Sequence, residues 1–379
     1  MKVFESLPDL SARIGFLKTV ANWKDAVSIE FGPEGTMHYI QSDIAGYTEN
    51  LFTTGIREPE IIFGDTKRLE QAILDLDREL KPRIIFILSS PVSQIIGADL
   101  RGLVEKIKRQ VEAKLLVWEN IATESIEEEG RVKAYKEAAS LIKDIDKNQK
   151  LNKRVLILGL SESDYNGLAD FRELKRILKK YFNLDCINDE DGRYYLEEIL
   201  EASFIISVDR ASINFVKELN NFSGIPFYQG AIYGLREIDI LFDAIEENLK
   251  VKRGEYWQYD KKELSKKIQN FQTRVQKYSF KNIYLNVRED RMTSLENFIS
   301  KELGLKYTND EISPEDIIIS NGVTCSLHPE NQTICVCNPT IEQKLYSDSI
   351  PFMGVLGLGN LLSIIYSAII KNKNQGHNF

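Results

Sequence analysis

The chain has 379 residues, of which 43% are hydrophobic, and its 49 basic and 57 acidic side chains give a net charge of −8. The hydrophobic fraction excludes global disorder, and the length indicates two or three domains. The acidic balance argues against binding to nucleic acid and against adsorption to an anionic membrane.

Apolar, β-branched runs alternate along the chain with longer charged segments of helical period. This alternation is typical of parallel sheets that are covered by helices on both faces. The predicted strands are residues 26–31, 84–89, 114–118, 155–160, 204–208, 282–287, 316–320 and 333–337, and the predicted helices include 65–80, 100–113, 168–181 and 213–220.

The alternation restarts twice, near residue 154 after a charged stretch and near residue 282 after a long polar segment. The simplest interpretation is an α/β protein of three Rossmann-like αβα units, with mainly parallel sheets around a central cleft. We expect the units at residues 1–150, 151–255 and 256–379. The third should contain a linker helix and, over residues 322–339, a hairpin, because two β-rich runs flank a His-Pro-Glu-Asn turn.

Two turns follow the first two predicted strands. The sequence Phe-Gly-Pro-Glu-Gly-Thr at residues 31–36 can bring the backbone close to a partner group and aim amide hydrogens at an anion. Ser90 and the sequence Ile-Gly-Ala-Asp at 96–99 follow the strand 84–89, at the end where parallel sheets bind ligands. Both segments also fit structural roles, as a strand-to-helix turn and as a helix cap.

Two glycine patterns further along the chain exclude common nucleotide sites. The strand 155–160 leads into a loop with one glycine, whereas a dinucleotide-binding fingerprint needs three. The Gly-Leu-Gly sequence at 357–359 lacks both the third glycine and a Gly-Lys-Ser/Thr sequence. We therefore expect neither a nicotinamide, a flavin nor a phosphate-loop nucleotide site.

The four cysteines, all from Cys186 onward, are too few for a disulfide framework. Cys325, His328, Cys335 and Cys337 form the only constellation in the sequence that could complete a tetrahedral zinc site. Cys335 and Cys337 also share one face of a strand, where thiols pack as small hydrophobic side chains. The packing interpretation is favoured because zinc ligands usually come as C-x2-C or H-x3-H pairs, and no metal ligand is assigned.

Residues 350–370 carry no charge and are numerous enough to span a membrane. Their proline and glycines predict a strand, a glycine turn and a short helix. The apolar side chains of this helix share one face, which favours a buried core helix over a membrane span; they are Leu361, Leu362, Ile365, Ala368 and Ile369. Because residues 1–10 lack the apolar core of a signal peptide, we expect a cytoplasmic protein.

The order of these motifs resembles the component 1 superfamily of nitrogenase-like oxidoreductases, which includes the nitrogenase molybdenum–iron subunits, their cofactor-assembly homologues and dark-operative protochlorophyllide reductase. Members read His-Gly-Pro-x-Gly-Cys, Phe-Gly-Gly, Ser-Thr-Cys and Ile-Gly-Asp-Asp in the first unit. This chain reads similarly at residues 31–36, 63–65, 89–91 and 96–99. Gly-Ile-Pro at 224–226, Tyr-Gly at 233–234 and Ile-Pro-Phe at 350–352 extend the resemblance along nearly the whole chain.

The departures from the family pattern concern its cluster ligands. In the family, cysteines at positions that match Ser11, Thr36 and Pro91 hold an iron–sulfur cluster, and a further cofactor-ligating cysteine matches Val208. Thiolates are the standard anchors of such clusters. The resemblance therefore implies a degenerate iron–sulfur site: a chain that binds no cofactor alone, and whose cluster or metallocofactor is shared with a partner subunit.

What the resemblance implies about function is an oxidoreductase subunit, paired with a cysteine-bearing component 1-like sister subunit or with itself. In the family this complex is a heterotetramer served by a separate ATP-dependent iron–sulfur reductase. One alternative is a cluster-free ligand-binding or scaffold protein that kept the fold. A second is a zinc-stabilised interaction protein built around Cys325 and Cys337.

No catalytic residue is assigned, but strand-end side chains suggest a pocket lined by Glu34, His38, Ser90, Arg210 and Tyr233. Arg210 follows an apolar strand, where a cation can meet an anionic ligand; its alternative role is a surface ion pair with Asp209 or Glu237. Apolar side chains of the first unit are expected either at a partner interface or inside that unit; these are Phe31, Met37 and Tyr39.

Overall fold

The computed structural model describes residues 11–36, 48–119, 126–143, 153–162, 164–278, 282–338 and 350–375. Twelve strands in this part of the chain form three parallel four-stranded sheets. The first sheet contains β1 (Ala26–Phe31), β2 (Leu51–Thr53), β3 (Ile84–Ser89) and β4 (Lys114–Trp118). The second contains β5 (Arg154–Leu158), β6 (Asp185–Cys186), β7 (Phe204–Ser207) and β8 (Phe227–Gln229), and the third β9 (Ile283–Asn286), β10 (Tyr307–Thr308), β11 (Ile317–Asn321) and β12 (Gln332–Cys337). The predicted α/β fold of three parallel-sheet units is confirmed.

All three sheets have the same strand order, in which the first strand in sequence lies between the second and the third. In each sheet, the second strand in sequence therefore lies on one side of the first strand, and the third and fourth strands lie on its other side. A crevice at the carboxyl ends of strands results where the order reverses, and open parallel sheets bind ligands there. In the first sheet this point lies between β1 and β3, where Phe31 is paired with Ser89.

The chain divides into two compact units. One contains residues 9–146 and 193–199, with the first sheet, and the other contains residues 147–192 and 200–379, with the second and third sheets. The helices of the first unit are α1 (Ala12–Val20), α2 (Glu58–Phe63), α3 (Lys67–Leu80), α4 (Pro91–Ile95), α5 (Leu100–Ile107) and α6 (Glu127–Ile142). Those of the second are α7 (Gly167–Phe182), α8 (Ile213–Ser223), α9 (Gly234–Leu249), α10 (Tyr256–Val275), α11 (Glu289–Glu296), α12 (Gly322–Leu327) and α13 (Gly354–Gln375).

Burial follows from the two-sided cover of the sheets. Every residue of β1 and β3 is buried, as expected for the central strands of a parallel sheet. In the second unit, a single apolar core joins β5, β7, β9 and β11 to the helices around them. The domain boundaries near residues 150 and 255 stay predictions.

The C-terminal segment differs in part from its prediction. Residues 354–375 form one continuous helix, so the glycines at 354, 357 and 359 lie in helix rather than in a turn. The predicted apolar face is buried in the core of the second unit, whereas Ser363 and Ser367 are exposed. The stretch Gly354–Asn372 is long and apolar enough to cross a membrane, but half of it is buried inside the protein, as in a core helix.

The predicted hairpin over residues 322–339 is wrong. Residues 322–327 form α12, and β12 runs parallel to β11 rather than antiparallel. The helix begins because the Asn321 side chain accepts a hydrogen bond from the Thr324 amide, at 2.9 Å, which is an N-cap. A short helical crossover thus replaces the turn, and the third sheet keeps the topology of the other two.

Candidate functional site

The crevice of the first sheet is closed by direct contact between the two turns that the sequence singled out. A side chain at Gly32, after β1, would place its Cβ atom 2.7 Å from the Cβ atom of Ser90, after β3. Only a glycine allows this approach. The Ser90 hydroxyl donates to the Phe31 carbonyl at 2.8 Å and accepts from the Ser93 amide at 3.0 Å, so it caps α4. Ser90 is fully buried and has a structural role.

Thr36, at a position that matches a cluster cysteine of the family, belongs to a buried polar network. Its hydroxyl donates to Glu30 Oε2 at 3.0 Å, and the other carboxylate oxygen of Glu30 forms an ion pair with Arg13 of α1. Burial raises the pKa of Glu30, and both Arg13 and Thr36 oppose that rise. The network satisfies a buried charge with the side chain at the position that the resemblance matches to a cluster cysteine.

The residues at the cluster positions do not fit an iron–sulfur cluster. Pro91 is the first residue of α4 and offers no side-chain donor, and Ser11 precedes α1 at its N-cap position. Within the described ranges, no group of three or more His, Cys, Asp or Glu side chains could hold a metal ion. Val208, at the position of the cofactor cysteine, is buried in the apolar core of the second unit.

Of the remaining first-unit pocket candidates, the structure describes Glu34 only. Glu34 is exposed and lies beside Gly55, 3.2 Å from the position that a Cβ atom would take there. His38, Met37 and Tyr39 lie outside the described residues. Phe31 is buried in the core of the first unit.

In the second sheet, the turns after two neighbouring strands are also in close contact, and here one of the contacting residues is charged. Gly159 follows β5, has a φ of +84°, and would direct a Cβ atom to 2.3 Å from the Cβ atom of Asp209, which follows β7. Asp209 accepts a hydrogen bond from the Ala211 amide at 3.0 Å. Arg210 is half-exposed and forms an ion pair with Glu289 of α11.

Arg210 and Tyr233 both contact the first turn of α11, through Glu289 and Arg291 respectively. Tyr233 is fully buried, and its hydroxyl accepts a hydrogen bond from Arg291 Nη1 at 3.2 Å. The same Arg291 nitrogen donates to the Val336 carbonyl at 2.8 Å, whereas Arg291 Nε is buried without an acceptor among the described residues. Burial raises the pKa of Tyr233 well above its usual value, so its hydroxyl stays protonated.

Carboxylates from three segments balance these arginines. Arg288, before α11, contacts Asp290 and lies 3.6 Å from Asp164 Oδ1, in the loop after β5. Asp170 of α7 accepts hydrogen bonds on Oδ1 from the amides of Phe352 and Met353, at 2.6 and 2.8 Å. Its Oδ2 atom is buried without a donor in the described part of the chain.

The titration of Asp170 reflects this burial. Burial raises the pKa of Asp170 to about 6, although Arg291 and the two amide hydrogen bonds lower it. A buried carboxyl with a raised pKa marks a candidate functional position, with a structural ion network as the alternative. We call Asp164, Asp170, Arg288, Asp290 and Arg291 the ion network.

The cysteines of the third sheet are held as protonated thiols. Burial raises the pKa of Cys325 to about 11 and that of Cys335 to about 12. A thiolate is the nucleophilic form of cysteine, so these thiols are weak nucleophiles in the metal-free chain. All three cysteines and His328 are described, yet they form no metal-holding group, so the zinc interpretation has no support here.

The ion network was missed from sequence, although one signal for it exists. Arg288, Asp290 and Arg291 directly follow a predicted strand, at the end where ligands bind, and could have been selected by that rule. Asp170 lies within a charged helical segment, and nothing in the sequence indicates that it is buried. Its partners Phe352 and Met353 lie 182 and 183 residues further along the chain.

Comparison with known proteins identifies one family for most of the chain. A family model described as nitrogenase component 1 type oxidoreductase matches residues 11–308. The solved structure called "Nitrogenase Cp1 at pH 6.5" superposes with a TM-score of 0.70 at 16% identity, over 98% of this chain and 94% of that chain. At this identity, the match shows the fold alone.

Two curated relatives are similar to part of the chain. The nitrogenase iron-molybdenum cofactor biosynthesis protein NifE of Clostridium pasteurianum is 24% identical over 223 residues, which cover 56% of this chain and 48% of that protein. The corresponding NifN of Rhizobium meliloti strain 1021 is 27% identical over 214 residues, or 50% of this chain and 48% of that protein. The chain thus spans about half the length of the curated relatives that it matches.

Proposed function

Because the chain belongs to the nitrogenase component 1 type oxidoreductase family, we propose that it is the non-ligating subunit of a two-subunit component 1-type complex. A cysteine-bearing sister subunit supplies the thiolates for an iron–sulfur cluster or metallocofactor. This chain forms part of the pocket that surrounds that cluster or cofactor. An ATP-dependent iron–sulfur reductase supplies electrons. The complex works in the reducing cytoplasm, where such clusters keep their thiolates.

The observation that carries this proposal is the use of the family's ligand positions by the fold itself. Thr36 is hydrogen-bonded to Glu30, and Pro91 is the first residue of α4, directly after the capping residue Ser90. Neither position can be converted to a ligand without loss of a local interaction. A chain that kept the family fold but committed these positions to stability depends on another chain for cluster ligands.

An exposed apolar surface supports the partner part of the proposal. Ile62 and Phe63 of α2 and Ile95 of α4 are 72%, 80% and 86% exposed. Both helices follow strands of the first sheet at its carboxyl edge. Large apolar side chains exposed at the edge of a sheet are typical of protein interfaces.

Iron analysis of the complex tests the proposal. We expect the anaerobically purified chain to contain neither iron nor acid-labile sulfide, and its co-purified complex with a component 1-like chain encoded beside it to contain both. Stoichiometric iron in the isolated chain would reveal ligands that the sequence does not suggest. An iron-free complex would remove the oxidoreductase role and leave a scaffold.

The docking surface is tested by a matched pair of variants. Phe63→Asp places a charge on the exposed patch and should abolish co-purification with the sister subunit. Leu327→Asp changes another exposed apolar side chain, in α12, at 66% exposure, and should leave the complex intact. Equal yields of complex from both variants would exclude this surface as the interface.

A cluster-free ligand-binding protein is the second candidate function. It is favoured by the ion network, in which Arg291 Nε and Asp170 Oδ2 have no hydrogen-bond partner among the described residues. Buried polar atoms of this kind are often satisfied by a ligand or by water. A stable monomer that forms no complex with any component 1-like neighbour would support this candidate over the first.

A further inference from the structure

The strand β4 is an edge strand of the first sheet: it pairs with β3, and no described strand pairs with its other side. Proteins usually protect such edges by keeping them short or by covering them. Four of the other five edge strands have only two or three residues each; they are β2, β6, β8 and β10. β12 has six residues, of which three are buried. β4 has five residues, and none of them is buried.

The backbone of β4 has hydrogen-bonding groups without a partner on its outer side. The Lys114 amide donates to the carbonyl of the residue before β3, at 2.8 Å. Because alternate residues of a parallel strand bond to the same neighbour, Leu116 and Trp118 also face β3. The N–H and C=O groups of Leu115 and Val117 therefore point away from the sheet, and no described residue forms a hydrogen bond with them. They present donors and acceptors to a further strand.

The side chains of β4 are mostly apolar although they are only half-buried. The apolar ones are Leu115, Leu116, Val117 and Trp118. Natural edge strands often carry charged residues that prevent pairing with another chain, and β4 has one such residue, Lys114, at its first position. An open edge of this length and composition is therefore a place at which chains associate.

Pairing of β4 with itself satisfies both its backbone and its side chains. A twofold axis perpendicular to the sheet brings the same edge of two copies together in antiparallel orientation. If Leu116 faces its own counterpart, Leu115 of each copy lies opposite Val117 of the other, and these residues exchange the hydrogen bonds. Lys114 then lies opposite Trp118, where a cation can contact an aromatic ring. In this register all five residues of β4 are paired, and no two like charges within β4 face each other.

We propose that β4 is a self-association edge, at which two copies of this chain pair antiparallel about Leu116 and join their first sheets into one continuous sheet. The occupant of the edge is a second copy because the strand is complementary to itself in hydrogen bonds, apolar contacts and charge. Self-association at β4 involves none of the α2 and α4 side chains assigned to the sister-subunit contact, and it requires no step of the proposed function.

Size exclusion with light scattering measures the mass of the purified full chain in solution. At high micromolar concentration we expect twice the 43.5 kDa of one chain. Val117→Pro removes an outward N–H group, which proline can do at an edge without breaking the ladder to β3. It should weaken the dimer about tenfold or more, because half of the backbone hydrogen bonds between the copies are lost. Val117→Thr keeps the N–H group and should stay dimeric.

A second pair of variants tests the register. Leu116→Glu and Leu116→Lys each place two like charges opposite one another at the twofold axis, so each variant alone should be monomeric. An equimolar mixture of the two should dimerise again, because opposite charges then face each other. Ile240→Glu is the control: it places a charge on a 41% exposed apolar side chain of α9, in the other compact unit, and should leave the dimer intact.

Four results would overturn the proposal. They are a parent chain that is monomeric at every concentration, a dimer that Val117→Pro leaves unchanged, a Leu116→Glu variant that still dimerises alone, and a mixture of the two charged variants that stays monomeric. Circular dichroism checks that each variant is folded. If Val117→Pro does not fold, the recovery of the dimer in the mixture decides the matter, since unfolded chains could not recover it.

Discussion

The carboxyl edge of the first sheet and those of the second and third sheets have the same strand order but use polar groups differently. At the first edge, Gly32 and Ser90 are in contact, and Thr36 and Arg13 satisfy the single buried acid Glu30. At the other edges, two arginines and at least three carboxylates form a larger network. One topology thus supports a closed structural junction in one unit and a charged interior in the other.

This difference indicates which edge of the chain still has polar groups that could bind a ligand. In the first crevice, the described side chains of Ser90, Thr36 and Glu30 are engaged by the fold itself. A network with a buried guanidinium nitrogen and a carboxylate oxygen that lack hydrogen-bond partners among the described residues keeps some capacity. Four changes, ordered from the largest expected effect to the smallest, would break or sharpen this comparison.

Loss of Arg291 should have the largest effect. Arg291→Leu leaves the Tyr233 hydroxyl and the Val336 carbonyl without their donor and removes the positive charge that opposes the rise in the Asp170 pKa. Removal of one member of a buried ionic network lowers the free energy of unfolding by about 3–5 kcal/mol. Urea denaturation measures this change. Arg210→Leu is the control, because the half-exposed pair with Glu289 is expected to contribute less than about 1 kcal/mol.

The titration of Asp170 should make the second unit less stable as the pH rises. Its pKa is about 6 in the folded chain and 3.8 by reference, so the folded state holds the proton more tightly between these values. The contribution of this group is therefore fully present below about pH 4 and is lost as the pH rises through 6. Two pKa units correspond to at most about 3 kcal/mol.

The measurement is the pH dependence of unfolding in the parent chain and in Asp170→Asn. The variant keeps an oxygen acceptor for the Phe352 and Met353 amides but cannot titrate. The difference in unfolding free energy between the two proteins should change across pH 4–7. Parallel curves would show that Asp170 has an ordinary pKa and that the network is better solvated than its burial indicates.

The long central strands and the helices between them could be predicted from sequence because their apolar runs are four or more residues long. β1, β3 and β4 begin and end where they were predicted. The edge strands β2, β6, β8 and β10 were missed, because two or three residues are too short to show a period. The N-cap at Asn321 was also missed, so residues 322–327 were predicted as part of a hairpin although they form α12.

The candidate site was harder to predict than the fold, because its contacts join distant segments. The turn at 31–36 and Ser90 were each placed after a predicted strand, and in the structure the two are in contact with structural roles. Tyr233 was selected without its partner Arg291, which lies 58 residues further along the chain. Patterns of type and spacing indicate which residues end a strand, but not which charges share one buried volume.

Gly32→Ala tests the closed junction of the first sheet, with an intermediate effect. The new methyl group would lie 2.7 Å from the Ser90 Cβ atom and 2.8 Å from its hydroxyl oxygen, so the turn or the start of α4 must shift. Overpacking of this kind lowers the free energy of unfolding by about 1–3 kcal/mol. Gly35→Ala, in the same turn, meets no atom within 4 Å and should be nearly neutral. Equal stability of the two variants would mean that the junction is loose.

Thr36→Val should have the smallest effect and is the most direct test of why the family's ligand position is closed. Valine keeps the shape of threonine but removes the hydroxyl that donates to Glu30 Oε2 at 3.0 Å, so one oxygen of a buried carboxylate loses its donor. The expected loss is about 1 kcal/mol in urea unfolding, with Thr36→Ser close to the parent chain because it keeps the hydroxyl. Because the hydroxyl lowers the pKa of Glu30, its removal should also raise that pKa further. Thr36→Val would then lose more stability at pH 7 than at pH 4, and an equal loss at both values would mean that Arg13 alone satisfies Glu30.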